Sequence, residues 1–213
     1  MRVIVTRPQG QEEPIASRLR GLGHEVVLCP LTRIEPLGDG PIDLSGYDWV
    51  LVTSVNGAVE LARRRHGSAG HVAAIGPGTA AALEERGLHV DLVPAVSTQE
   101  GLLAELRQPV GRVLFAGADG ARRLLVDELG ADFVPLYRTV PLQPDPAPTG
   151  DVVLLASASA ASAFGALGVG VPAISIGPQT TAAARAAGIT VLAEAERHDL
   201  EGLLAALASL PPS

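Results

Sequence analysis

The sequence predicts an α/β protein of two doubly wound parallel-sheet domains, and three observations carry that prediction. First, the chain repeats itself. Ile75-Gly76-Pro77-Gly78-Thr79 returns 101 residues later as Ile176-Gly177-Pro178-Gln179-Thr180. The likeness runs on through Gly87 and Gly188, then Val90 and Val191. It ends with Glu100-Gly101-Leu102-Leu103-Ala104 against Glu201-Gly202-Leu203-Leu204-Ala205. Self-similarity at so long a period marks an internal duplication of a domain-sized unit. Second, short apolar runs without clean alternation take turns with helical patterns, as parallel strands covered on both faces do. Third, two proline-bounded extended pieces, residues 30–36 and 135–141, stand 105 residues apart. Each is followed by a polar, proline-rich loop of the kind that joins domains.

Residues 3–5 open a first strand, and a helix over about 11–22 follows with Ile15, Leu19 and Leu22 on one face and Gly23 as its stop. Residues 25–28 form the next strand. After the first proline-bounded piece and a Gly/Asp/Pro-rich loop comes strand 49–52, then Thr53-Ser54-Val55-Asn56-Gly57 and a helix to about Arg65. The first Gly-Pro unit reads as strand 72–75, helix to Arg86, stop at Gly87 and strand 90–93. Helix 98–106 takes Thr98 as its N-cap. Strand 113–115, the loop Gly117-Ala118-Asp119-Gly120, a helix to about Leu129 and strand 133–136 lead into the second proline-bounded piece. Strand 152–155 runs into Ser157-Ala158-Ser159, the counterpart of Ser54-Val55-Asn56. Helix 160–167, strand 173–176, the second Gly-Pro helix, strand 190–192 and helix 200–210 finish the chain.

Each repeat thus holds about five strands. Two arrangements satisfy the pattern: tandem domains meeting near Gln108-Pro109, or an exchanged arrangement in which the proline-bounded pieces are the crossings. The polar loops after those pieces favour the exchange. It expects one discontinuous domain of residues 1–32 plus 144–213, a second of 37–136, and a two-stranded linker of 33–36 and 137–143.

Composition narrows the function. No stretch approaches the roughly 18–20 unbroken apolar residues of a membrane span, and the first strand breaks too early for a signal peptide. Cys29 is the only cysteine, so neither a disulfide within the chain nor a thiol metal cluster is expected, and the cytoplasm is the expected compartment. All 16 basic residues are arginine, which excludes Schiff-base chemistry on lysine. A net charge of −7 without a basic run argues against nucleic acid as a partner. His24, His66, His71, His89 and His198 fall in no metal-ligand or Ser-His-Asp spacing. A nucleotide-binding fold is disfavoured because neither GxGxxG nor a Walker lysine is present.

What the chain does offer is a set of helix starts at strand ends. Proline at the first helical position loses no hydrogen bond, and the N–H groups behind it sit at the positive end of the helix dipole. Such turns suit anionic ligands, and two copies point to a shared ligand cleft. The candidates are Thr6-Arg7, Ser54 with Asn56, Gly78-Thr79, residues 117–120, Ser157 with Ser159, and Gln179-Thr180, all at carboxyl ends of strands where ligands of parallel sheets bind. The Ser and Thr residues among them also serve as helix caps.

At this point the residues carry a resemblance. Val5-Thr6-Arg7-Pro8, Thr53-Ser54-Val55-Asn56-Gly57, both Ile-Gly-Pro-x-Thr segments and Leu136-Tyr137-Arg138-Thr139-Val140 resemble the uroporphyrinogen-III synthase family, in order and along nearly the whole chain. That resemblance implies two α/β domains joined by a two-stranded linker, with both chain ends in one domain. It implies cyclisation of hydroxymethylbilane to uroporphyrinogen III, with inversion of the last pyrrole ring and loss of water, without metal or organic cofactor. The substrate carries eight carboxylates, for which Arg7, Ser54, Asn56, Gly78, Thr79, Arg122, Ser157, Ser159, Gln179 and Thr180 are the expected contacts. Tyr137 stands where the family's proposed general acid stands, and a phenol is protonated at neutral pH and can donate. Arg138 also fits the pattern. Ala116 and Ala156 depart from it, standing where members often carry a basic and a hydroxyl residue. A monomer is expected. The competing expectation is a two-domain module that binds an anion or tetrapyrrole as a sensor, without catalysis.

Overall fold

The apolar runs become strands and the Gly-Pro turns become helix starts in the computed structural model, which describes residues 1–210. The chain opens with β1 (Arg2–Val5), α1 (Glu13–Gly21), β2 (Glu25–Leu28) and β3 (Thr32–Pro36). It continues with β4 (Ile42–Asp43), β5 (Trp49–Val52), α2 (Val55–Arg64), β6 (Arg65–His66), β7 (His71–Ala74), α3 (Pro77–Glu84) and α4 (Gln99–Glu105). Then come β8 (Val113–Ala118), α5 (Leu124–Leu129), β9 (Asp132–Pro141), β10 (Val152–Leu155) and α6 (Ala158–Gly165). The last elements are β11 (Ala173–Ser175), α7 (Pro178–Ala186), β12 (Val191–Glu194) and α8 (Leu200–Ala208).

These elements form a mixed α/β fold with parallel sheets, in two units. One unit comprises Met1–Arg33 and Val140–Ser213, the other Ile34–Thr139. The first holds a five-stranded sheet in the order β12-β11-β10-β1-β2, every neighbouring pair parallel. The second sheet runs β3-β9-β8-β5-β7, parallel from β9 to β7. The chain leaves one unit for the other within β3 and again within β9. Around these crossings Leu37 N–H donates to Leu136 C=O and Leu142 N–H to Leu31 C=O, so partner numbers fall as the others rise and β3 runs antiparallel to β9.

Each sheet is buried on both faces, which explains why its strands lack alternation in sequence. In the first unit Val3, Val5, Val152 and Leu154 pack with α1 and α8, while Ile4, Val153 and Leu155 pack with α6 and α7. In the second, Val50, Val52, Leu114 and Ala116 pack with α2 and α3, and Leu51, Val113 and Phe115 with α4 and α5. Pairwise the frames correspond. Arg2 N–H donates to the Asp151 carboxylate while Asp151 N–H donates to Arg2 C=O, and Arg112 and Asp48 repeat both bonds.

One expectation needs correction, and two details are added. Residues 90–93 form no strand: a single bridge from Ala73 to Leu92 takes its place, and beside it the Asp91 carboxylate accepts the Val72 N–H while Asp91 N–H donates to Val72 C=O. Strand 133–136 and the extended piece it leads into form one element, β9, continuous over ten residues. The two-residue strands β4 and β6, which pair with each other, are additions to the expected set and are too short to leave a periodic signal.

Candidate active site

In a doubly wound sheet ligands bind at the carboxyl ends of strands, where neighbouring strands connect in opposite directions. In the first unit β1 connects to β2 on one side and β10 to β11 on the other, so that point lies between β1 and β10. Thr6-Arg7 and Ser157 stand there. In the second unit it lies between β5 and β8, where Ser54 and residues 117–120 stand.

In the second unit Ser54 is the N-cap of α2, its Oγ accepting from Gly57 N–H at 3.0 Å. The same oxygen lies 2.9 Å from the Tyr137 hydroxyl. Tyr137 reaches it because β9 carries a bulge. Gly117 pairs with Pro135 and Ala118 with Tyr137, so Leu136 has no partner. Strict alternation would send Leu136 and Tyr137 to opposite faces; the extra residue sends both into the core beside α2 and α3. Tyr137 is 6% exposed. Nothing in the spacing of two residues 83 apart foretells their bond.

Thr79 is buried in the first turn of α3, while Pro77 is exposed and so is Gly78. Its N–H precedes the first intrahelical bond and is one of the donors a helix start leaves open. Asn56 lies in the first turn of α2, half-buried and engaged in an interaction of its own. Arg122 is exposed and bonded through both terminal nitrogens to Glu100, at 2.7 and 3.0 Å. Held first by Arg122, the Glu100 carboxyl drops to about 2. The first unit repeats this tie between Arg18 and Glu201, so Arg122 is engaged with α4 in the same way that Arg18 is engaged with α8.

In the first unit Ser157 caps α6 from 3.1 Å and bonds Ser159 at 3.0 Å. Thr6 Oγ1 donates to Leu154 C=O at 2.9 Å inside the sheet and is thereby occupied. Arg7 is half-buried, reaches Gln11 Oε1 at 3.4 Å, and keeps a buried Nε without a partner. Burial pulls its pKa down and Glu12 pushes it back. A cation so placed gains from an incoming carboxylate. On α7 Gln179 is exposed and Thr180 is buried.

Sequence reasoning missed one polar chain in this unit: Ser175 Oγ bonds Thr181 Oγ1 at 2.5 Å, and Thr181 Oγ1 donates to the Glu194 carboxylate. Cys29 is buried, which pushes its thiol up to about 11 and leaves it inert at neutral pH. Among the described residues no group of three or more His, Cys, Asp or Glu could hold a metal ion, and no helix is long and apolar enough to cross a membrane.

Fold and side chains together define a mixed α/β protein with parallel sheets, whose serine-capped and Gly-Pro helix starts follow the strand ends. A family model described as uroporphyrinogen-III synthase HemD matches residues 13–205. The chain belongs to the uroporphyrinogen-III synthase family, which works in porphyrin biosynthesis. A uroporphyrinogen-III synthase of Synechococcus elongatus is 29% identical over 247 residues, 96% of this chain and 93% of that one. A Methanocaldococcus jannaschii protein provisionally named for the same activity is 28% identical over 149 residues, 65% of this chain and 62% of its own length. The fold matches the crystal structure of uroporphyrinogen-III synthetase from Helicobacter pylori with a TM-score of 0.68 at 18% identity, covering 99% of this chain and all of that one.

Proposed function

We propose that the protein cyclises hydroxymethylbilane to uroporphyrinogen III as a hydro-lyase, acting as a cytoplasmic monomer without metal or organic cofactor. In this reading the two units are a duplicated domain joined through β3 and β9. The observation that carries the chemistry is the Tyr137 hydroxyl held 2.9 Å from Ser54 at the carboxyl end of β5. A phenol at that place can protonate the departing hydroxyl, which leaves as water and makes an azafulvenium carbon for the ring closure. Arg7 and the open N–H groups of Gly78 and Gln179 suit carboxylates of the substrate, as do Ser157 and Ser159. Asn56, Thr79, Arg122 and Thr180 complete the proposed set of substrate contacts.

Freshly prepared hydroxymethylbilane, with the isomers of the product resolved, tests the proposal. Isomer III above the spontaneous isomer I is the expected result, undiminished by a metal chelator; isomer I alone sinks it.

A further inference from the structure

We propose that Ser54 is a positioning residue that carries Tyr137 through proton transfer by reversing their hydrogen bond, a role that rests on the cyclisation proposed above. A serine hydroxyl has one proton and two lone pairs. Gly57 N–H takes one lone pair of Ser54 Oγ. The other lone pair and the proton both remain for Tyr137, and either oxygen of the couple can be the donor. Ser54 therefore switches from accepting to donating by rotation about its C–O bond alone, while its oxygen stays fixed as the cap of α2.

Both oxygens are held in place. A Cβ on Gly57 would stand 3.0 Å from Ser54 Oγ and 3.5 Å from a Val52 methyl, so glycine leaves the hydroxyl room that alanine would take. On the other side the bulge at Leu136 and burial in the core fix the Tyr137 ring.

Before transfer the phenol donates to Ser54. It then turns to the hydroxymethyl oxygen of the substrate. The Tyr137 O–H bond breaks, its proton bonds to that oxygen, and the C–O bond breaks with its electron pair leaving in water. The pyrrole nitrogen supplies the electron pair that stabilises the emptied carbon. Ser54 Oγ–H meanwhile turns to the phenolate oxygen, making a charge-assisted bond where a neutral one stood. Ring closure releases a proton from the attacking pyrrole carbon, and that proton restores the phenol, so the cycle needs no further reagent. The other unit has the same cap in Ser157, but that hydroxyl bonds Ser159. Thr32 occupies the place that Tyr137 takes in the second proline-bounded piece.

Steady-state kinetics of the full chain on hydroxymethylbilane test the relay. Ser54→Ala is expected to lower kcat about 10- to 100-fold and to leave KM within about threefold. Ser54→Thr keeps both cap and hydroxyl and is expected within about threefold of the parent. In a Tyr137→Phe background, Ser54→Ala is expected to cost nothing more. Carbon-13 NMR of tyrosine labelled at the ring carbon bearing oxygen gives a readout free of activity, since the chain has two tyrosines. The Tyr137 line should move in Ser54→Ala but hold in Ser54→Thr, with the Tyr47 line unmoved in both. An equal loss from Ser54→Ala with and without Tyr137, or parental kcat with an unmoved line, overturns the relay while the cyclisation stands. A parent protein that yields only isomer I overturns the cyclisation, and the relay with it.

Discussion

Ser54 and Ser157 cap α2 and α6 through matching bonds of 3.0 and 3.1 Å, each following an interior strand of its sheet. Beside Ser54 stands a buried phenol; beside Ser157 stands another serine. The capping turn is common to both units, and the difference lies in the side chains beside it and in the β9 bulge that brings Tyr137 there, so the shared turn cannot by itself be the source of the chemistry. The comparison breaks if the two serine turns prove equally important for turnover. Tyr137→Phe is expected to reduce kcat by about 100-fold or more, the scale of a lost general acid. Ser157→Ala is expected to stay within about tenfold and to act mainly on KM, as loss of a binding contact does.

Elsewhere the two units are alike in side chains as well as in frame. Glu100-Gly101 and Glu201-Gly202 keep the same letters because they do the same work. Each glutamate clasps an arginine, Arg122 or Arg18. Each glycine N–H is capped, by Thr98 or by Asp199. A Cβ at Gly101 would fall on the Val96 carbonyl oxygen, and one at Gly202 on that of Arg197. Alanine normally favours a helix over glycine by about 1 kcal/mol. Here the clash with backbone, which cannot swing aside, outweighs that preference. Gly101→Ala and Gly202→Ala are each expected to lower stability by at least about 3 kcal/mol, read from urea midpoints. A gain in stability at either position would show that the repeat is no packing device.

These glycines also show how far the sequence can be read and where it stops. Buried parallel strands are apolar on both faces, so Val3–Val5, Trp49–Val52 and Val152–Leu155 declare themselves from composition, and the Gly-Pro turns mark their helix starts. The repeat is visible in the letters, but its reason is not. Close approach of a backbone carbonyl leaves no mark in sequence except the glycine itself. Tyr137 can be singled out by its rarity and its place between prolines. Its hydrogen bond to Ser54 depends on a bulge that shifts register by one residue, and no periodicity encodes that. The clasp of Arg122 on Glu100 is likewise invisible in sequence, because a charged side chain reads alike whether free or paired.

A third contrast lies within reach of the repeat but means nothing until the side chains are placed. Ser175, Thr181 and Glu194 of the first unit align with Ala74, Ala80 and Val93 of the second. The first set is a hydrogen-bonded chain at the start of α7, whereas in the second Ala74 and Ala80 are buried in one apolar cluster and Val93 is exposed. Removing one partner of a buried hydroxyl costs more than removing both. Thr181→Ala leaves the fully buried Ser175 hydroxyl without its bond, and is expected to cost about 1–3 kcal/mol. Ser175→Ala with Thr181→Ala restores the pattern of the other unit and should recover most of that loss in thermal melts. A double variant no better than Thr181→Ala would mean that the chain is more than a local alternative to apolar packing.

The smallest contrast is between the caps of α4 and α8. Thr98 caps with a hydroxyl and Asp199 with a carboxylate. The Asp199 carboxyl is held below its ordinary value first by the Gly202 N–H and then by Arg197. A carboxyl whose folded value is depressed stabilises the fold at pH above its unfolded value, near 3.9, and loses that contribution as pH falls through the folded value. Thr98→Ala removes no ionisable group and is therefore expected to lower stability by about 1 kcal/mol, nearly level from pH 7 down to about 3. Glu100 beside it is held down first by Arg122, a hold that the variant keeps, and last by the Thr98 side chain, so only that smallest part of its acid dependence separates variant from parent. Asp199→Ala is expected to lower stability at pH 7 and to converge on the parent as acid protonates the cap. Urea midpoints across that range separate the two. A loss for Asp199→Ala that stays constant with pH would show that its carboxylate caps α8 by geometry, with no net gain from its charge.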